Sequence, residues 1–232
     1  MTCFYSHKKK TMSVTPEQIA EYAKQSEELL PKFIALASSN EWKESKKEED
    51  ITFYTRTDPS SPYHQVKSVV TIPAPIDTVL SILKPIEVVD KSTPKEKRHG
   101  LNERKALYGP ADDQYQTAIF EIEIESPAPL VSPRDFLLFR RFYQKDGKQV
   151  YLHNSIVNNT LFPEKKGVVR GEMPFQGFIV EKDPDHQGNV RLTFLVHADP
   201  KGKIPSAVYN LVVTNQGYAA KGIRKKAIEA AK

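Results

Sequence analysis

The residues able to do chemistry in this chain are few and dispersed. Six histidines (His7, His64, His99, His153, His186 and His197) stand far apart, and none has the i, i+4 partner that a metal site on a helix face needs. The single cysteine, Cys3, has no partner for an intramolecular disulfide, which fits a reducing compartment. There is no Gly-rich phosphate loop, no HExxH, no CxxC and no G-x-S-x-G elbow. With no nucleophile–base pair to assemble, the chain reads as a binding protein rather than an enzyme, with no metal or other cofactor expected. An arginine stands out instead. Strand alternation puts Phe136, Leu138, Arg140 and Phe142 on one face. Burying a guanidinium among apolar side chains is costly unless it is paired. The competing reading is an arginine on the outer face of the sheet.

These residues need elements to place them. Thr15 reads as an N-cap, with Pro16 at the first helical position and Gln18 completing a capping box. Ile19, Tyr22, Leu30, Phe33 and Ala37 then trace an apolar stripe to about residue 38, with Pro31 as a candidate kink. Lys43 to Asp50 reads as a charged loop. Residues 51–55 and 63–70 read as a hairpin about the turn Asp58-Pro59-Ser60-Ser61-Pro62. A short helix over 75–83 and a less regular helical stretch to about Lys97 precede six strands, near 101–108, 115–125, 135–144, 149–157, 168–181 and 189–198. From Pro205 onward one amphipathic helix is expected, with Val208, Val212, Ala219 and Ile223 at helical spacing. Short connections imply an antiparallel sheet with helices gathered on one side, an α+β fold. Such a sheet must curl, and a long helix across its mouth leaves an interior volume.

Composition bounds the rest. With 39% apolar and 27% charged residues the chain is globular rather than disordered. One domain over 15–232 is expected after a disordered leader over 1–14. The leader lacks the apolar h-region of a signal peptide, and no apolar run approaches the roughly 18 residues of a membrane span, so a cytoplasmic location is expected. The net charge of +5 is concentrated near the end, at Lys201, Lys203, Lys221, Arg224, Lys225, Lys226 and Lys232. Only Tyr218 is interleaved with those cations, which argues against nucleic acid as a partner. They suit either an anionic membrane surface or a solvated helix end.

Three segments point further. Ser132-Pro133-Arg134-Asp135-Phe136 leads into an apolar strand, Val169-Arg170-Gly171-Glu172 follows, and Asp199-Pro200-Lys201-Gly202-Lys203-Ile204-Pro205 precedes the last helix and its Asn210. In order and spacing they resemble the START (steroidogenic-acute-regulatory-protein-related lipid transfer) domain family, specifically over 115–226 and more loosely from Thr15. The resemblance implies a helix-grip fold, a curved sheet of about nine antiparallel strands around a long C-terminal helix, with one lipid in an internal cavity. It implies a gate formed by that helix and the loop Pro127-Ala128-Pro129-Leu130-Val131. Leu130 and Val131 would dip into a membrane while Lys221, Arg224, Lys225 and Lys226 meet anionic headgroups, or the prolyl turn packs its hydrophobes inward.

The resemblance also implies a ligand site at Arg140, with Phe136, Leu138, Val208, Val212 and Ala219 on the cavity walls. In sterol-binding members the arginine pairs with an acid on the preceding strand, which here falls on Glu121. Alternation of Glu121, Glu123 and Glu125 argues that these acids face water, leaving Ile122 in the cavity, so both readings stay open. Asp90 matches an acid of the phosphatidylcholine-binding members. Ile122, Phe136 and Ile86 replace their cage aromatics and phosphate-binding arginine, which favours a sterol or another small-headed lipid over a phospholipid. The expected partners are a lipid and, transiently, a membrane surface, with the protein a monomer, peripheral at membranes. The enzymatic alternative, a hydrolase or cyclase on the same fold, would have to work with Arg140 and either Glu121 or His153.

Overall fold

Helix α1 (Pro16–Ala37) begins at the expected capping box: Gln18 N–H donates to Thr15 Oγ1 at 3.3 Å and Thr15 N–H to Gln18 Oε1 at 3.0 Å. The computed structural model describes residues 13–232 except 99, 110–112 and 127–130, and the side chains of 211 and 212. After α1 come β1 (Lys43–Lys47), β2 (Thr52–Asp58), β3 (Ser61–Ile72), α2 (Ile76–Leu83), β4 (Leu101–Tyr108), β5 (Ala118–Ile124), β6 (Arg134–Lys145) and β7 (Lys148–Ser155). The two-residue β8 (Val169–Arg170), then β9 (Glu172–Lys182), β10 (Val190–Asp199), α3 (Ser206–Val212) and α4 (Tyr218–Ala230) complete the chain. The sheet runs β1–β2–β3–β10–β9–β7–β6–β5–β4, antiparallel throughout, with β8 pairing parallel to β6 beside that path. The fold is the expected helix-grip α+β arrangement.

Three local expectations are corrected. Lys43 to Lys47, read as loop, is edge strand β1. All five of its residues are exposed, so no hydrophobic alternation betrays it. Between α2 and β4 the described helical structure is one short 3₁₀ turn, Lys95–Lys97. The C-terminal helix is broken: α3 gives way to a 3₁₀ stretch, Val213–Gly217, before α4. Val212, Val213 and Thr214 are β-branched and poor helix formers, and Gly217 is worse. Tertiary contact fixes the break there. Ser68 Oγ donates to the Gly217 carbonyl at 2.8 Å, and a Cβ on Gly217 would lie 2.8 Å from the Phe53 ring.

The sheet has two apolar faces. On one side α1 lays Leu30 and Phe33 against Val150, Leu152, Ile179 and Leu195, and Tyr22 against Ile119, Leu137 and Phe139. On the other, Phe120, Ile122, Leu138, Tyr151, Phe194 and Val196 share a core with Ala220 and Ala227 of α4. Alternation along β6 therefore sends Leu137, Phe139 and Tyr143 to the α1 side, and Phe136, Leu138 and Phe142 to the α4 side.

The three family-like segments meet at one end of this sheet. Arg134 Nε donates to the Pro200 carbonyl at 3.2 Å, and its terminal nitrogens reach the carbonyls of Ser132 and Lys201. Asp135, fully buried, accepts two bonds from Arg170, at 2.8 and 3.0 Å. Gly171 leaves room for Phe136, whose ring edge would be 2.4 Å from any Cβ there. Asn210 ties α3 to the β2–β3 hairpin, accepting from His64 N–H at 2.9 Å and donating to Pro62 O at 3.0 Å. These segments hold the sheet's ends together and stand apart from the cavity.

Candidate ligand cavity

Between the inner face of the sheet, α2 and α4 lies a cavity of about 620 Å³, the size of pocket that encloses one drug-sized ligand. Its walls are mainly apolar. Ile82, Leu83 and Ile86 come from α2 and the segment after it, Phe120 and Ile122 from β5, Phe178 from β9, and Ala219 and Ile223 from α4. A second, larger groove of about 1380 Å³ lies along the outer side, lined by Lys47, Glu48, Asp50, Lys67, Glu181 and Arg191 among others. Its charged and hydroxyl-rich wall offers little to a hydrophobic ligand, so the smaller cavity is the site of interest.

The polar groups inside are few. Arg140 is buried and fixed from behind by carbonyls: one terminal nitrogen donates to Lys84 O at 2.8 Å, the other to Leu83 O at 3.4 Å. Its guanidinium lies 5.5 Å from the Tyr151 ring centre, and its buried Nε has no partner among the described residues. Burial pushes its pKa down, which registers the cost of keeping this cation dry. Opposite Arg140 in the β6–β7 register stands His153, its Nδ1 3.3 Å from Gln176 Oε1 and its ring edge-on to Phe120. Burial first, and then the Arg140 guanidinium, push the imidazole down to about 3, so His153 is neutral at physiological pH. The Tyr151 hydroxyl donates to Gln116 Oε1 at 2.9 Å.

A second guanidinium enters from β4. Arg104 pairs in register with the cavity-lining Ile122 and lines the cavity itself. It makes a long 3.5 Å bond to the Glu87 carbonyl, and burial lowers its pKa. At the rim, Lys226 of α4 and Glu87, both about half exposed, form an ion pair at 3.2 Å across the mouth.

The residues singled out by sequence divide sharply. Arg140, Ile122 and Ala219 line the cavity, as do Ile86 and His153. Phe136 and Leu138 share that face but are packed into solid core outside the cavity lining. Glu121 is not the partner of Arg140. It faces the other side, where Lys165 lies 2.9 Å away and Arg170 3.3 Å; it is buried in these ion pairs rather than open to water, while Ile122 takes the inward placement. Asp90 is exposed and away from the cavity. It closes a local turn onto Ser92, whose hydroxyl and N–H lower its pKa. Val208 is 53% exposed on α3 rather than on the cavity wall. The Val212 side chain and Leu130 lie outside the described residues. Val131 is half-buried.

Three of the four expected headgroup-binding cations are engaged within the chain. Lys221 pairs with Glu48 and Asp50, Arg224 with Asp50, and Lys226 with Glu87, while Lys225 is exposed with no ion pair to the described residues. Sequence reasoning missed Arg104, Gln176 and Glu87. For Arg104 the reason is physical: β4 has register irregularities at residues 101–103 and 106–108, which blur the alternation that would have placed it. Among the described residues no cluster of His, Cys, Asp and Glu could hold a metal ion, and no helix is long and apolar enough to cross a membrane.

A curved sheet closed by a C-terminal helix over an apolar cavity with a buried polar cluster defines a helix-grip protein. The START domain family model matches residues 24–227, and the chain belongs to that family. The steroidogenic acute regulatory protein, mitochondrial, of Danio rerio is 32% identical over 94 residues, 40% of this chain and 33% of that protein. The Homo sapiens protein of the same name is 26% identical over 200 residues, covering 85% of this chain and 67% of its own length. The matched chain thus spans about a third of the first relative's length and two thirds of the second's. Among solved structures, human StAR-related lipid transfer protein 5 superposes with a TM-score of 0.71 at 18% identity, over 92% of this chain and 99% of that one, a likeness of fold.

Proposed function

We propose that this protein carries one compact hydrophobic lipid, of sterol-like size, with the lipid's polar head at Arg140. The observation that carries the reading is a buried guanidinium on the wall of an otherwise apolar cavity of about 620 Å³. Desolvation drives an apolar body into such a space, while the few polar groups orient its head. The family supports lipid binding, and the names of its relatives include lipid transfer. Binding needs no chemistry, and the cavity is poorly equipped for any. His153 is too weak a base at its depressed pKa, and Glu87, the one carboxylate on the wall among the described residues, sits at the rim.

Exchange of the lipid at a membrane is part of the same proposal. The mouth lies between α4 and the segment after α2, where exposed Val88 and unpaired Lys225 are available to a bilayer surface. Native mass spectrometry of the protein from cells, followed by lipid extraction, tests the reading. One lipid per chain is expected, and Arg140→Ala should lower its occupancy. A chain that retains no lipid and takes none from vesicles of phosphatidylcholine and sterol would defeat the proposal.

A further inference from the structure

The geometry points to an anionic head on the ligand: Arg140 and Arg104 present two guanidiniums to one apolar cavity in which no described carboxylate forms an ion pair with either. This rests on the carrier reading above and narrows the class of lipid.

The charged residues on the cavity wall are Arg104, Arg140, Lys226 and Glu87. Lys226 and Glu87 cancel one another at the solvent-exposed rim. What remains is a buried positive charge at Arg140 and a partly buried one at Arg104. Arg140 spends its terminal nitrogens on the neutral carbonyls of Leu83 and Lys84, and its Nε is buried and unpartnered. Arg104 has a single long bond, again to a carbonyl. The Glu87 carboxylate eases the charge of Arg104 from a distance but forms no ion pair with it, being held by Lys226. Glu121, the acid that could have neutralised Arg140, is committed to Lys165 and Arg170 on the far side of the sheet.

The neutral groups do not resolve the imbalance. Arg140 faces His153 in the β6–β7 register, Arg104 faces Ile122 in the β4–β5 register, and all four line the same cavity. A buried cation without a counter-charge costs several kcal/mol. A neutral sterol hydroxyl brings acceptor lone pairs but no charge, whereas a carboxylate, sulfate or phosphate monoester brings both and shares two or three oxygens between two arginines. The ligand expected is therefore a single-chain or ring-system amphiphile ending in such an anion.

The test uses the full chain and tail-matched pairs below their micelle-forming concentrations: cholesterol against cholesterol 3-sulfate, and oleyl alcohol against oleic acid. Affinities are measured by displacement of a fluorescent lipid. The anionic member of each pair should bind about ten-fold tighter or more, the scale of a charged hydrogen bond gained. Arg104→Gln should erase most of that preference, as should Arg140→Gln if its thermal midpoint shows it folded. Arg104 is the safer variant, since one long hydrogen bond is all it gives the fold. Neutral members binding as tightly as the anions, or a preference untouched by Arg104→Gln, would overturn the inference and leave the carrier reading standing. No binding by any of the four would overturn both.

Discussion

Asp135 and His153 show two opposite solutions to burying a polar side chain. Asp135 is matched by the two-pronged Arg170, with Glu121 on the same guanidinium and Lys165 beyond it. Removing one partner of such a pair strands the other. Asp135→Ala should cost about 3–5 kcal/mol in urea unfolding, and Asp135→Ala with Arg170→Ala less than the two losses summed. Additive losses would mean the residues act independently. His153 is buried without an acid and stays neutral because its pKa falls from 6.5 to about 3. Since the folded value is the depressed one, the unfolded chain binds the extra proton between these limits. This contribution to stability is fully present above about pH 6.5 and erodes as pH falls toward 3, by about 1.4 kcal/mol per unit. In His153→Gln the pH dependence of the unfolding free energy between 6 and 4 should flatten. An unchanged slope would place the effect on other groups.

At the scale of elements, the broken C-terminal helix carries two glycines with opposite demands. Gly217 sits where the backbone touches the Phe53 ring, so Gly217→Ala must push that ring aside, and overpacking of this kind costs about 1–3 kcal/mol. Gly222 lines the cavity, and a Cβ there meets nothing within 4 Å. Gly222→Ala should therefore stabilise α4 by about 0.5–1 kcal/mol through helix propensity alone. Gly222→Phe should fold as well as wild type but lose ligand, because its ring would occupy the space. Retention of full lipid loading by Gly222→Phe would show that the ligand lies elsewhere. β1 illustrates an element no sequence pattern marks. A strand of five exposed residues is held by its ladder to β2 and by Lys46, which donates to the Tyr218 hydroxyl of α4 at 2.7 Å, and its lysines suit an open sheet edge.

For the whole molecule, α1 on one face and α4 on the other make the sheet the centre of two cores, one solid and one hollow. A ligand that fills the hollow side binds the folded chain only, so a hundred-fold excess over its Kd should add about 2.7 kcal/mol to stability. Thermal unfolding with and without cholesterol 3-sulfate reads this directly, and a midpoint indifferent to every lipid tried would count against a cavity ligand. We expect 15–232 to be the folding unit, since α1 is anchored by its own capping box and by Tyr22, Leu30 and Phe33. A chain starting at Val14 should unfold within about 2 °C of the full chain, and a larger loss would show that the first residues contribute to the fold.

The sequence alone determined the elements whose signals are local: the Thr15 capping box, the hairpin, the alternating strands, and the segments around Arg134, Arg170 and Asp199 that mark the family. It also put Arg140 on one face with Phe136 and Leu138, but with Leu137 and Phe139 apolar on the other face it left open which side lines the cavity. Only the tertiary structure decided what surrounds that arginine. Pairing across strands sent Glu121 to Lys165 and Arg170 on the far face, the β4–β5 register set Arg104 beside Ile122 on the cavity wall, and contact with Ser68 and Phe53 fixed the break in the last helix. Periodicity along one chain segment reports which face a residue takes. Which charges meet across a cavity depends on registers between segments far apart in sequence, and no local pattern encodes them.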